Sequence, residues 1–552
     1  FSFRVIGGDI CRSHIRGYHL VATVFIQEIS MTTATPITHI VVVGGGSAGW
    51  LTAGRIAAQH QCATRKDIKV TLIESPNVPI IGVGEGTWPT MRSTLIALGI
   101  SETTFIKECD ATFKQGAKFA KWTTGEEHDF YYHPLMLPQG FSQTNLGPYW
   151  QTVAPELNES FSHAVCVQEA ICEAGCAPKS IRHAEFAGTA NYAYHLDAGK
   201  FTAFLTKHCT EKLGVHHVLA DVNRVESSNN GDIKALHTEQ GVTVEGDLFV
   251  DCTGFKSMLL GEHFKVPFIP CDDVLFIDRA LAVHVPYDTP QSPIASHTIS
   301  TAQDAGWIWD IGLQSRRGVG HVYSSRHQSK DDAYARLDTY VRQTSTLNGI
   351  DGINVKDITI QSGHRQRFWQ NNCVAVGLAA GFLEPLEASA LVLVELSASM
   401  IAEQLPANRA VMDIVAKRFN DTFSYRWQRI IDFLKLHYML SKREDSAFWR
   451  DNRDSHTIPD SLKELLALWQ YHPPSDKDFT SNNEVFPAAS YQYVLYGMGF
   501  TSDLGAHQQW VNADFAKQQL MQNRKARGMA VEKLPKHREL INKIHQFGLQ
   551  AV

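Results

Sequence analysis

Three groups of side chains in this sequence could do chemistry. Trp307 and Trp309 stand one residue apart in AGWIWDIGLQ (305–314). On a strand both point to the same face, either as ordinary core packing or as a wall of two large planar rings. Lys107, Lys114, Lys118 and Lys121 recur at spacings of 7, 4 and 3. Spacing alone reads as a solvated basic face of a helix. A lysine held out of water would instead have a lowered pKa. Glu384 and Glu387 interrupt the apolar run LEPLEASALVLVEL. Uncompensated burial of a charge is expensive. Either both cap the following helix, where the N-terminal dipole favours anions, or Glu387 acts as a polarising group or as the base that removes a proton.

The elements that position these groups begin with THIVVVGGGSAGWLTAGRIAAQ. Ile40 to Val43 reads as a buried strand, Gly44, Gly46 and Gly49 fit GxGxxG, and an Ala-rich helix follows. A second strand, IKVTLIE, ends at Glu74. This is the βαβ order of a dinucleotide site: glycines for the tight turn and close backbone approach, the helix N-terminus for phosphates, the acidic residue for a ribose hydroxyl. Gly45, Ser47 and Ala48 belong to the same cradle. LFVDCTGFKS (248–257) and NNCVAVGLAAGFLEPLE (371–387) read as two further strand-plus-glycine crossings. They resemble FAD-dependent oxidoreductases of the glutathione-reductase type, whose FAD domain is discontinuous. The resemblance places Val222 over the adenine. No second GxGxxG follows, so no NAD(P)H domain is evident.

Composition bounds the alternatives. A chain of 552 residues is too long for one ordinary core. The net charge of −6 argues against a nucleic-acid binder, which needs a basic surface. The ten cysteines show no CxxC, and the 25 histidines show no HExxH. We expect no metal, and buried cysteines in a reducing, cytoplasmic setting. Residues 1–30 read as an upstream extension, disordered or non-native, with Met31 the natural start. Their apolar run LVATVFI is too short to span a bilayer, and no membrane association is expected.

GGGSAGW (44–50), IGVGEGTWPT (81–90), ECDATFKQGAKFAKW (108–122), GWIWDIG (306–312) and FLEPLEASA (382–390) together resemble flavin-dependent halogenases of the tryptophan-halogenase type. The resemblance runs from about residue 36 to about 510. It implies an α/β fold with a glutathione-reductase-type, Rossmann-like FAD domain. It implies a mobile strap over the flavin containing Val83 and Gly86, with Gly377, Leu378 and Leu391 also at the cofactor. Trp307 and Trp309 would stand between flavin and substrate and keep an organic ring from the flavin, while halide reaches it and becomes hypohalous acid. Lys114 would aim that oxidant at a ring carbon, and Glu387 would assist beside it. The free N–H groups of Ser389 and Ala390 would hold bromide or chloride. FADH2 would come from a separate reductase by diffusion, and a homodimer is possible.

The match fails in places. The tryptophan motif ends in Gly312 where the family has Pro, and Glu387-Ala388-Ser389-Ala390 replaces E-S-T-G. The C-terminal cassette that holds free tryptophan lacks its Tyr pair, leaving Glu484 and Phe486 before YQYVLYGMG (491–499). His133 fits the aromatic sandwich around the indole, or is a structural histidine, while Leu135 stands where an aromatic is usual. The expectation is an indole-type substrate without a zwitterion requirement. The expected architecture is a discontinuous FAD-binding domain over 36–400 and a mostly helical region over 401–552, ending in one or two surface helices. A flavin monooxygenase and a degenerate flavoprotein are the rival readings.

Overall fold

The computed structural model describes residues 35–78, 84–481, 484–505 and 512–551. The expected upstream extension and Val83 lie outside them. The fingerprint strand His39–Val43 is central to a six-stranded sheet. It pairs in parallel with Lys69–Glu74 on one side and Leu248–Asp251 on the other. Cys373–Ala375 and His216–Leu219 extend the parallel sheet outwards, and Trp369–Gln370 adds an antiparallel edge. Strands hundreds of residues apart thus share one sheet, the discontinuous α/β arrangement expected. Continuous β-branched runs suit strands buried on both faces, and Ile40, Val41 and Val42 are fully buried.

The helix Ser47–Gln59 packs on this sheet, and Ser389–Glu403 and Ala198–Glu211 pack against that helix. Gly44 has φ +112, and a Cβ there would press on the end of the neighbouring strand, 3.2 Å from Thr253 N. Gly49 lets the helix close down on the Gly44 backbone.

A seven-stranded sheet forms the second layer and carries Gly306–Gly312 between Thr298–Gln303 and Arg316–Tyr323. A small sheet, Gly84–Gly86 with Ala193–Asp197 and Thr112–Lys114, joins the two layers. After residue 400 the elements are helical, led by the long helix Arg409–Met439. One hydrophobic core runs through the FAD-type sheet, the second sheet and these helices. The tail helices Ala513–Lys533 and His537–Phe547 are docked, since His537 is buried and its Nε2 accepts the Phe113 N–H at 3.0 Å. Among the described residues no helix is long and apolar enough to cross a membrane, and no His/Cys/Asp/Glu group is placed to hold a metal. The nine described cysteines are all free and buried.

Candidate active site

Two cavities meet at the candidate residues. The larger, about 570 Å³, begins at the fingerprint, lined by Gly44, Gly45, Gly46, Ser47 and Ala48. Glu74 and Val222 line the same end. Gly46 caps the Ser47 helix with no side-chain hydrogen bond, and a Cβ on it would face open space. Uncapped helix N–H groups beside an open glycine cradle are what a pyrophosphate needs, so the residues present fit a dinucleotide. Glu74 Oε1 is paired with His217 Nε2 at 2.7 Å. Gly45 lies against the Glu74 side chain so closely that a Cβ would come within 2.7 Å of Glu74 Cβ.

The far end of this cavity gathers Trp307, Trp309, Gly377, Leu378 and Leu391. Both tryptophans line it from alternate positions of one strand, as the period of two requires. Trp307 Nε1 donates to Glu384 Oε2 at 3.0 Å. Trp309 lies across its cross-strand neighbour Gly320, where a Cβ would come within 2.6 Å of indole Cε2. Gly312 pairs normally with Arg317, and its carbonyl accepts the Thr112 hydroxyl at 2.6 Å.

The smaller cavity, about 120 Å³, is lined by His133, Leu135, Met136, Leu137, Trp88 and Tyr493. Lys114, Ala117 and Glu387 line both cavities. The two candidate side chains Lys114 and Glu387 therefore stand where the spaces adjoin.

Lys114 does not lie on a helix. Local spacing suggested a solvated basic face, but Thr112–Lys114 is a strand and Gly116–Ala120 is the next, with Lys107 on a separate short helix. The pairing of Thr112–Lys114 with Ala193–His195 overrides the local pattern. Lys114 is 3 % exposed, and its Nζ donates to the Thr87 carbonyl at 3.3 Å. Burial lowers its pKa from 10.5 to about 8, with the Glu387 charge opposing. Gly86 leaves room for the amine, since a Cβ there would sit 3.2 Å from Nζ.

Glu387 is not a helix cap. The helix Ser389–Glu403 is preceded by Ala388 without a side-chain cap. Glu387 and Ala388 both adopt left-handed backbone, φ 64 and φ 53. This conformation costs an L-residue roughly 1–2 kcal/mol. Glu387 Oε1 is bonded to His133 Nδ1 at 2.8 Å and lies 3.3 Å from His437 Nε2. Burial works against the carboxylate charge, but the two imidazoles outweigh it and hold its pKa well below the usual range. His133 Nε2 is in turn bonded to the Ser490 hydroxyl at 2.9 Å. His133 thus lines the small cavity while its ring nitrogens are committed to Glu387 and Ser490. Ser389 and Ala390 open the uncapped helix and line the large cavity.

His437 carries no local sequence signal of its place here, Glu384 stands out only as a charge in an apolar run, and Gly320 has a weak signal. Gly318 and Gly320 alternate along Arg316–Tyr323, a sign that something bulky crosses that face. Neither Glu484 nor Phe486, the two residues set against the expected clamp, lines the small cavity, although Phe486 packs edge-on against its Trp88 at 4.8 Å. Glu484 accepts from the Tyr425 hydroxyl, and Phe486 is fully buried, stacked on Phe433 at 3.8 Å.

Known proteins share this fold and much of its sequence. The family profile described as tryptophan halogenase matches residues 39–512. Tryptophan 6-halogenase ThaL of Streptomyces albogriseolus is 33% identical over 467 residues, covering 82% of this chain and 85% of ThaL. The solved tryptophan halogenase of Shewanella frigidimarina superposes with a TM-score of 0.90 at 48% identity, covering 94% of this chain and 99% of that one. BrvH, a flavin-dependent halogenase from Brevundimonas, superposes with a TM-score of 0.80 at 31% identity, covering 92% and 99%. This chain belongs to the tryptophan halogenase family and is a flavin-dependent halogenase.

Proposed function

We propose that the protein oxidises bromide or chloride and delivers the halogen through Lys114 to an indole-type ring. The observation that carries this reading is the placement of Lys114 and Glu387 at the junction of the two cavities. The glycine cradle of residues 44–48 and Glu74 would hold reduced FAD supplied by a separate reductase, and that group, with oxygen, would supply the two-electron oxidation of halide to hypohalous acid.

The remaining steps belong to the chain's own residues. The uncapped N–H groups of Ser389 and Ala390 hold the halide. Trp307 and Trp309 keep the organic ring from the flavin. Lys114 Nζ receives hypohalous acid by hydrogen bond, or as the free amine takes the halogen and releases water. Burial favours that amine by bringing its pKa to about 8. The lysine then fixes which ring carbon meets the halogen, and fixed geometry supplies the selectivity. Glu387, kept ionised by His133 and His437, takes the proton from the halogenated ring. A closed chamber keeps hypohalous acid from reacting indiscriminately.

The lining of the small cavity, rather than its size, supports an indole-type substrate. At about 120 Å³ it is smaller than the cavity of about 150 Å³ that takes a benzene ring, so the fused rings of an indole would extend into the space it adjoins at Lys114, Ala117 and Glu387. Lys114, Glu387 and His133 are its only titratable lining groups apart from Tyr493 among the described residues. None of these is an extra charge for an α-amino or α-carboxylate group. The test offers indole and tryptophan in parallel to protein, FAD, a flavin reductase and NADH, with chloride and then bromide. Halogenated indole by mass spectrometry is the expected product, with tryptophan turned over poorly. Preferred halogenation of tryptophan would refute the substrate assignment, and an oxygenated, halide-independent product would favour a monooxygenase.

A further inference from the structure

Glu384 is the first carboxylate of the Glu384–Glu387 turn, and it is fully buried. Its Oε2 accepts from Trp307 Nε1 at 3.0 Å and also from the Tyr438 hydroxyl. Tyr438 follows His437 in the last turn of Arg409–Met439. His437 approaches Glu387 while Tyr438 holds Glu384. One helix end therefore grips both carboxylates of the turn.

Burial pushes the Glu384 pKa up to about 7, opposed by the hydrogen bonds of Tyr438 and Trp307 and by the Lys435 charge. Lys435 itself is tied to the Val274 carbonyl and Asn452 Oδ1. A buried carboxyl is weak as a source of stability, because an apolar side chain of equal volume fills the space at lower cost. What it adds is direction. The aromatic neighbours of Trp307 do not supply that, since Trp122 and Trp309 lie 6.4 and 6.5 Å away at steep angles rather than stacked on it. The hydrogen bond at the indole edge is a directional contact on this fully buried ring, and Tyr438 reaches the same edge. Trp309 is fixed differently, by the space above Gly320.

We propose that Glu384 is a positioning residue for halogenation: it sets the plane of the Trp307 indole, and Tyr438 sets Glu384, so that the wall between cofactor and organic ring stays closed. The proposal rests on the reading of the tryptophan pair as that wall. It also assigns the EPLE turn two tasks, the wall through Glu384 and the ring proton through Glu387.

The test compares wild type with Glu384→Gln, Glu384→Leu and Tyr438→Phe. Halogenated indole formed per reduced flavin consumed is measured, together with kcat and KM, FAD affinity and the orientation of Trp307 in crystals of each variant. Glu384→Leu is expected to lower the yield per flavin about tenfold, the scale of one to two ordinary hydrogen bonds lost. It is also expected to show Trp307 rotated. Glu384→Gln should restore most of the yield, because its amide oxygen accepts from both donors. If Glu384→Leu does not fold, Tyr438→Phe is expected to give a smaller fall with FAD affinity unchanged. Yield per flavin equal to wild type in Glu384→Leu or Tyr438→Phe, or Glu384→Gln as poor as Glu384→Leu, would overturn the proposal. If wild type itself does not halogenate indole, the proposed function fails instead. The crystals then decide the inference alone, and an unmoved Trp307 in Glu384→Leu overturns it.

Discussion

Replacing Lys114 with methionine should stabilise the fold while abolishing directed halogenation. Methionine keeps the unbranched shape and removes the charge. Lys114 is buried and its pKa falls from 10.5 to about 8, chiefly through desolvation. Each pH unit of difference between folded and unfolded values corresponds to about 1.4 kcal/mol. The folded protein at pH 7 therefore carries a penalty of about 3 kcal/mol for holding the ammonium. The direction with pH follows from proton counts. Below about 8 both states are protonated and the penalty is complete. Between about 8 and 10.5 the folded state has released the proton and the unfolded state keeps it, so wild-type stability rises with pH. Glu387 is not stranded by the change, because His133 and His437 remain beside it. Denaturant unfolding of both proteins at pH 7 and pH 10 is the assay. The variant should be more stable by about 3 kcal/mol at pH 7 and by less than about 1 kcal/mol at pH 10. A variant less stable than wild type at pH 7, or a difference that grows towards pH 10, would refute the account of a desolvated lysine.

Gly320→Ala should drive a methyl group into the Trp309 indole. It should cost about 1–3 kcal/mol of stability through overpacking, with product per reduced flavin falling alongside; an unchanged yield would mean that Trp309 is not held by Gly320. Gly45→Val collides with Glu74 and should weaken FAD binding at least about tenfold, or 1.4 kcal/mol, in a flavin titration. Ala388→Gly relieves a left-handed residue at φ 53 and should raise the denaturant midpoint, by up to about 1 kcal/mol of stability. A lowered midpoint would show that the Ala388 methyl is needed for packing.

The parts of this molecule that rest on short-range pattern were legible in the sequence. The glycine fingerprint works through neighbours within one βαβ unit, and it folds as that pattern demands. Trp307 and Trp309 share a face because a strand alternates, whatever surrounds it. Lys114 was not legible from spacing. Its neighbours Lys107, Lys118 and Lys121 mimic a helix face, whereas its strand is fixed by partners at Ala193–His195. The family resemblance singled out the residue where periodicity misplaced it. Glu384 and Glu387 looked like a capping pair because both precede a helix. Their partners Trp307, Tyr438, His133 and His437 come from three distant elements that only folding brings together. His133 was read either as a wall of the substrate site or as a structural histidine; the ring lines that space, and its nitrogens serve Glu387 and Ser490.

The central claim is that Lys114 carries the halogen from one cavity to the other. The direct measurement is the fate of oxidised halide in Lys114→Ala, followed with indole and with a freely diffusing, easily halogenated trap in the same reaction. The account predicts that halogenated indole disappears, reduced flavin is still consumed, and no new ring position is substituted. Halogenated indole formed by Lys114→Ala at the wild-type position and yield per flavin would contradict it.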